Sequence, residues 1–258
     1  MDTADLENRL RIATEITEEA AKVALHYFRN GVDIETKADQ SPVTVADKQT
    51  EQVIREGLQK AFPDDAIFGE EFGRSGSGSE MWIVDPIDGT RSFITGLPRF
   101  GMLLGFIDEA GPDLGIIRMP ALGEVYTGIK NHEAACNGQT IQVSACQSLK
   151  TARLFINEAD KMAKHEAEAF GALTQAGELR RTGADCYPHA LVARGSVDAV
   201  VDYDLQPYDY LPVSAVVESS GGIMTDWQGN TLTMDSDGRT VTAATQELHA
   251  QLLELLNA

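Results

Sequence analysis

The chain has 258 residues, 43% hydrophobic and 24% charged, which suits one large packed domain or two small ones and excludes disordered or collagen-like structure. Forty acidic residues against twenty-one basic ones leave a formal charge of −19, which repels nucleic-acid backbones and anionic bilayers at long range, so neither is an expected partner. An anionic substrate would need a local attractor, and a bound divalent cation is the simplest one.

No apolar run approaches the roughly 18 residues of a membrane span, and the opening Met1-Asp2-Thr3-Ala4-Asp5 is acidic where a signal peptide is basic, so a cytoplasmic location is expected. From Asp5 to Phe28, apolar and small residues recur at steps of three and four (Leu6, Leu10, Ala13, Thr17, Ala20, Ala24), which predicts a long amphipathic helix. A polar loop, Glu35 to Pro42, separates it from a second helix that Thr44 can cap and Pro63 ends. A short strand, Ala66 to Phe68, runs into Gly69-Glu70-Glu71, and Arg74 to Ser79 reads as a flexible surface loop. Met81-Trp82-Ile83-Val84 is a buried strand that ends at Asp85.

Short β-type runs at Gly101 to Ile107, Leu114 to Arg118, Glu124 to Ile129 and Thr140 to Val143 then imply an antiparallel meander. The second half alternates. Strands at Leu154 to Ile156, Glu178 to Arg181, Ala199 to Val201, Gly222 to Thr225 and Thr240 to Ala243 are interleaved with helices. Those helices are expected at Lys161 to Gln175, Cys186 to Arg194, Leu211 to Ser219 and Gln246 to Leu256, which together make an α/β layering. Cys136, Cys146 and Cys186 are odd in number and widely spaced, and free buried thiols are expected.

The chemistry concentrates in Trp82 to Thr90. Asp85 and Asp88 flank Pro86, a proline that favours a turn, so both carboxylates and the Ile87 carbonyl can reach one small cation. Gly89 and Thr90 then open a short helix, Arg91 to Thr95, whose free N–H groups can hold phosphate oxygens. Each acid also has a plain structural reading. Asp85-Pro86 can be only a turn, Asp88 or Asp209 an N-cap, Asp47 the partner of Thr44 in a capping box, and Glu70 a solvated charge. Convergence favours metal, because two carboxylates about 4 Å apart repel by about 4 kcal/mol at an effective dielectric of about 20. Mg²⁺ relieves that repulsion and prefers oxygen ligands. The sequence holds no G-x-S-x-G elbow, P-loop, H-E-x-x-H helix or dinucleotide fingerprint. His26, His132, His165, His189 and His249 are scattered and read as structural or exposed.

Taken in order, Lys37 with Pro42-Val43-Thr44-Val45-Ala46-Asp47, Gly69-Glu70-Glu71, Asp85 to Thr90, Pro207-Tyr208-Asp209 and Ser220-Gly221-Gly222 resemble the inositol monophosphatase superfamily of metal-dependent, lithium-sensitive phosphatases. Asp88 to Gly96, Asp185-Cys186-Tyr187 and Pro207 to Leu211 are most similar to its bacterial-type histidinol-phosphate phosphatases. The resemblance implies a layered αβαβα fold of the inositol monophosphatase and fructose-1,6-bisphosphatase type, a homodimer, and two or three Mg²⁺ per site. It implies a single family-like domain over 1–258, with an N-terminal α+β lobe (about 1–145) and a C-terminal α/β lobe (about 146–258).

Carried over by residue, it implies that Glu70, Asp85 and the Ile87 carbonyl hold one ion, that Asp85, Asp88 and Asp209 hold a second, and that a third leans on Glu70. Gly89 and Thr90 would hold the phosphate. Thr90 and Glu70 would orient the attacking water, and Asp47 would act through Thr90. Asp88, Asp185 and Asp202 would face the substrate, although relatives more often carry Glu at the last position. Lys37 and Arg91 are further candidates, with Arg91 equally readable as an exposed helix arginine.

The expected activity is Mg²⁺-dependent hydrolysis of a small phosphate monoester by water, without a phosphoenzyme. L-histidinol phosphate, an intermediate of histidine biosynthesis, is the expected substrate, because Asp185 and Asp202 suit a cationic amine and imidazole better than a neutral polyol. Inositol monophosphate or a broader set of sugar and nucleotide phosphates is the alternative within the class. A non-catalytic divalent-metal-binding protein is the alternative outside it, and Thr90 paired with Glu70 is the feature that such a protein would not need.

Overall fold

The computed structural model describes residues 2–30, 34–36, 42–78, 80–108 and 111–258. In chain order its elements begin with α1 (Thr3–Tyr27), β1 (Ile34–Thr36), β2 (Pro42–Thr44), α2 (Val45–Ala61), β3 (Ala66–Gly69), β4 (Gly73–Ser75), β5 (Met81–Asp88) and α3 (Thr90–Ile94). There follow β6 (Gly101–Asp108), β7 (Gly111–Met119), β8 (Glu124–Ile129), β9 (Ala135–Cys136), β10 (Gln139–Thr140), β11 (Arg153–Ile156), α4 (Ala159–His165), α5 (Ala167–Leu173) and β12 (Leu179–Thr182). The chain closes with α6 (Tyr187–Ala193), β13 (Ala199–Asp202), α7 (Pro207–Ser219), β14 (Ile223–Asp226), β15 (Thr240–Ala243) and α8 (Gln246–Leu256).

Two large sheets organise most of these elements, beside the separate two-stranded pair β1–β2. Among the described residues the larger runs β10-β9-β8-β7-β6-β5-β3-β4, antiparallel except for the parallel pair β3 and β5. The smaller runs β12-β11-β13-β15-β14, and its first three strands are parallel. Alternation along β5 divides the core of the larger sheet. Trp82 and Val84 pack with Ile54 and Leu58 of α2, while Met81 and Ile83 pack with Tyr210, Val213 and Val217 of α7. Val192 of α6 meets Val200 on one face of the smaller sheet, and Leu248 and Leu252 of α8 cover Val201, Val241 and Ala243 on the other. The result is the expected αβαβα stack: α1 and α2, the larger sheet, α6 and α7, the smaller sheet, then α4, α5 and α8. No helix among the described residues is long and apolar enough to cross a membrane.

A row of glycines sets the depth of the central helix. Gly105, Gly115 and Gly128 are register partners across β6, β7 and β8. A Cβ at Gly105 would lie 3.1 Å from Pro212 Cα, one at Gly115 would strike the Pro212 carbonyl, and one at Gly128 would lie 2.8 Å from Val216 Cα. The backbone of α7 therefore rests directly on the sheet, and the start of α7 is carried toward the end of β5.

Several boundaries differ from the sequence reading. Asp85 to Asp88 is the end of β5 with a register shift against β6, not a free turn, because Pro86 has no N–H to give the ladder and the strand bulges there. The helix expected from Leu211 begins at Pro207, where Gln206 and Asp209 form a capping box and proline occupies the first turn, leaving Pro212 inside the helix. The helix expected over Lys161 to Gln175 is α4 and α5, broken at Glu166, which leaves helical backbone and pairs with Arg239 at 2.9 Å. Part of the expected surface loop after Arg74 is β4, paired antiparallel with β3, and part of the expected polar loop is the β1–β2 pair. The strand expected at Thr140 to Val143 stops at Thr140.

Candidate active site

The site is built where β5 ends. Asp85 Oδ1 accepts the N–H of Ile87 at 3.0 Å, so the bulge holds its own carboxylate in place. Gly89 then turns the chain into α3 with a φ of 80°, a left-handed backbone that favours glycine. Glycine is needed there a second time, since a Cβ would lie 2.5 Å from Asp185 Cγ. Asp88 Oδ2 accepts the N–H of Cys186 at 2.6 Å, which docks the segment before α6 against β5.

Asp85, Asp88 and Asp209 each present an oxygen, and the three lie within 4.8 Å of one another. Asp209 reaches them from the first turn of α7, where its Oδ2 also accepts the Gln206 N–H at 2.7 Å. Glu70 follows β3, its N–H bonded to the Val84 carbonyl at 3.1 Å, and its carboxylate is close enough to share a hydrogen bond with Asp85. Burial first, then the charges of Glu70, Asp88 and Asp209, holds Asp85 well above the usual carboxylate range. Asp209 is raised well above that range by burial and then by Asp88, and Asp88 is pushed up to about 7 by burial and then by Asp185. Crowded, desolvated acids of this kind bind protons unless a cation replaces them. The donors of the cluster are all oxygens, which fits a hard dication such as Mg²⁺.

Behind this cluster Asp47 is buried at the start of α2. Its Oδ2 accepts from Thr44 N–H at 2.8 Å and Thr44 Oγ1 at 2.6 Å, and its Oδ1 lies 3.3 Å from Thr90 Oγ1. Thr90 Oγ1 is also 3.3 Å from the Ile87 carbonyl. Burial raises the Asp47 carboxyl against the opposing Thr44 hydrogen bonds.

A cavity of about 630 Å³ opens over the cluster. Glu70, Asp85, Ile87, Asp88, Gly89, Thr90, Arg91, Asp185, Asp202 and Asp209 line it, so the structure brings these candidates together, with Asp47 just behind the wall. Lys37 lies outside the described residues. Arg91 stands at the rim, 57% exposed, within 3.6 Å of Glu158 and 3.9 Å of Asp160. Asp185 Oδ2 accepts from Ser92 Oγ at 2.6 Å and lies 3.7 Å from Arg99 Nε. Burial raises the Asp185 carboxyl, opposed by Ser92 and Arg99. Asp202 is more enclosed: its Oδ2 takes Asn157 Nδ2 at 2.7 Å and His189 Nε2 at 3.2 Å, and its Oδ1 takes the Tyr203 N–H at 2.8 Å. Asn157 and Glu51, the latter buried beneath the Glu70 turn, escaped the sequence reading, and Ser92 entered it only within the Asp88 to Gly96 resemblance, with no role assigned.

A layered αβαβα chain with an oxygen-only acidic cage beside a helix start has known counterparts. The profile of the inositol monophosphatase family matches residues 5–258, and the chain belongs to that family and is a phosphoric monoester hydrolase. Enzymes of the family use divalent metals. Within it, the chain is 39% identical to a histidinol-phosphatase of Chlorobaculum parvum, over 89% of this chain and 90% of that one. It is 31% identical to a histidinol-phosphatase of Streptomyces coelicolor, over 96% of each. Among solved structures, an inositol monophosphatase from Zymomonas mobilis superposes with a TM-score of 0.89 at 34% identity, over 98% of each chain.

Proposed function

We propose that this chain hydrolyses L-histidinol phosphate to L-histidinol and phosphate with Mg²⁺ as the resident metal. The observation that carries the substrate assignment is the place of Asp185: a partly buried carboxylate packed over Gly89, beside the N–H groups proposed to receive the phosphate. A phosphate ester whose organic part is cationic meets a complementary charge there. A neutral polyol gains only hydrogen bonds. The relatives named histidinol-phosphatase support the same reading.

Glu70, Asp85 and the Ile87 carbonyl would hold one ion, and Asp85, Asp88 and Asp209 a second, with Glu70 available to a third. Bound there, Mg²⁺ supplies positive charge beside the phosphoryl and leaving oxygens and acidifies water. The chain supplies the rest. Gly89 and Thr90 offer the free N–H groups of a helix start to the phosphoryl oxygens. Thr90 Oγ1 gives its proton to Asp47 or to the Ile87 carbonyl, so its lone pairs are left to accept a hydrogen bond from the attacking water. Glu70, which lines the same cavity, accepts that water's second hydrogen bond and fixes its line of attack.

Phosphate release from histidinol phosphate and from inositol 1-phosphate, each with Mg²⁺ and with EDTA, tests the proposal. A strong preference for histidinol phosphate that EDTA abolishes is expected. Preference for the inositol ester overturns the substrate, and full activity in EDTA overturns the metal.

A further inference from the structure

Three parallel strands end together at the cavity. Ile156 of β11 is the register partner of Thr182 of β12 and of Val201 of β13, so the residues that follow, Asn157, Gly183 and Asp202, emerge side by side. Asn157 sits at the centre of this edge and joins its neighbours. Its Nδ2 donates to the backbone carbonyl of Asp185 at 2.9 Å and to Asp202 Oδ2 at 2.7 Å. Asn157 is 2% exposed and lines the cavity, and its Oδ1 has no hydrogen-bond donor among the described residues.

The segment it holds is bent into an unfavourable backbone. Gly183 and Asp185 have φ of 64° and 54°, and a residue with a Cβ keeps such a conformation only where its surroundings impose it. Four contacts impose it here: Gly183 N–H on the Ile156 carbonyl at 3.0 Å, Asn157 on the Asp185 carbonyl, Ser92 on the Asp185 carboxylate, and Cys186 N–H on Asp88. Asn157 is the contact that also reaches Asp202. His189 backs Asp202 from the other side, its second ring nitrogen 2.8 Å from Thr242 Oγ1. With its oxygens shared among Asn157, His189 and Tyr203, Asp202 is placed to brace this edge, and Asp185 is the carboxylate turned toward Gly89.

We propose that Asn157 is a positioning residue for substrate selection: by tying the Asp185 backbone to Asp202, it holds the Asp185 carboxylate where it reads the cationic organic part of the phosphate monoester. This rests on the substrate reading given above. Asn157 touches neither the carboxylate cage nor the N–H groups beside it, so its effect is on discrimination between esters.

The test compares kcat and KM for histidinol phosphate and for glycerol 2-phosphate, a neutral-headed ester, in the Mg²⁺-loaded wild type and in Asn157→Leu and Asn157→Ser. Leucine keeps the volume without donors, and serine is too short to span both acceptors. Each variant is expected to lose at least tenfold more kcat/KM on histidinol phosphate than on glycerol 2-phosphate, mainly through KM. In an Asp185→Asn background, Asn157→Ser should cost no further discrimination, because the carboxylate it positions is gone. Equal losses on both esters, no loss, or additive losses in the double variant overturn the role of Asn157 while leaving the substrate reading intact. A wild type that does not prefer histidinol phosphate overturns both.

Discussion

The two oxygens of Asp47 serve two different elements: Oδ2 closes the capping box of α2 with Thr44, and Oδ1 lies 3.3 Å from the Thr90 hydroxyl at the mouth of α3. The structural and the functional readings of this residue are therefore not alternatives. The Thr44 backbone N–H, which stays whatever side chain caps the helix, holds the carboxylate that Thr90 contacts, so a helix end doubles as the support of a reacting-site hydroxyl.

That double use separates two variants. Thr44→Ala should lose about 1 kcal/mol of stability, the usual worth of a cap, with little change in kcat. Asp47→Asn should lose a similar amount of stability and also about tenfold to a hundredfold in activity, as for other residues that orient a site from behind. Thermal unfolding and steady-state rates on the same preparations check this, and a Thr44→Ala enzyme as slow as Asp47→Asn would reduce Asp47 to its capping role.

The acidic cage predicts an inverted pH dependence for the metal-free chain. Asp85, Asp88 and Asp209 hold their protons to higher pH when folded than when unfolded, so the folded state binds more protons through that window and stability falls as pH rises. The window opens near the unfolded carboxyl value of about 4 and extends to about 7 for Asp88. In EDTA, Tm should be higher at pH 5 than at pH 8. Mg²⁺ should raise Tm more at pH 8, where it need not displace protons. A metal-free Tm that climbs from pH 5 to pH 8, or a Mg²⁺ effect greater at pH 5, would show that the cage is not protonated as described.

Much of this architecture was legible from local spacing. The apolar period of α1, the Thr44 cap, the run Met81 to Val84 and the ends of α8 depend on residues close in sequence, and all formed where expected. Asp85 and Asp88 were legible for the same reason, being three residues apart. What the sequence hid is contact across long separations. Asn157 meets Asp185 and Asp202 only because three parallel strands end in register, and Glu51 looks like any charged residue of a helix until α2 is laid against β3. The glycines at 105, 115 and 128 lie unremarked inside three expected strands and become a helix seat only once the register aligns them.

Glu51 is fully buried and supports the turn that carries Glu70. It accepts from Glu71 N–H at 2.7 Å, from Phe72 N–H at 3.4 Å and from Arg55 Nε at 2.6 Å, and Arg55 continues to Ser75 Oγ at 2.9 Å. Glu51→Gln puts an amide donor against one of these donors and removes the charge opposite Arg55. Stability should fall by about 3 kcal/mol, as when one partner of a buried pair is lost. Because Glu70 is displaced with its turn, the Mg²⁺ needed for half-maximal binding in calorimetry should also rise, by about tenfold. Unchanged Mg²⁺ affinity in a destabilised variant would restrict Glu51 to a purely structural part.

The seat of α7 makes the last prediction, because it couples a residue far from the cavity to the cage. A methyl group at position 115 strikes the Pro212 carbonyl and meets Ala215 Cβ at 3.0 Å, and both are backbone or short side-chain atoms that cannot rotate away. The helix must lift, and Asp209 at its first turn rises with it, whereas Asp85 and Asp88 stay with β5. Gly115→Ala should therefore lose about 1 to 3 kcal/mol, the range for overpacking, and weaken Mg²⁺ binding although no cage residue has changed. Gly123→Ala, on a surface turn with nothing within 4 Å of the added Cβ but a φ of 67°, should lose stability through backbone strain alone and leave Mg²⁺ binding as it was. If Gly115→Ala binds Mg²⁺ as tightly as the wild type, the cage does not depend on how closely α7 lies on the sheet.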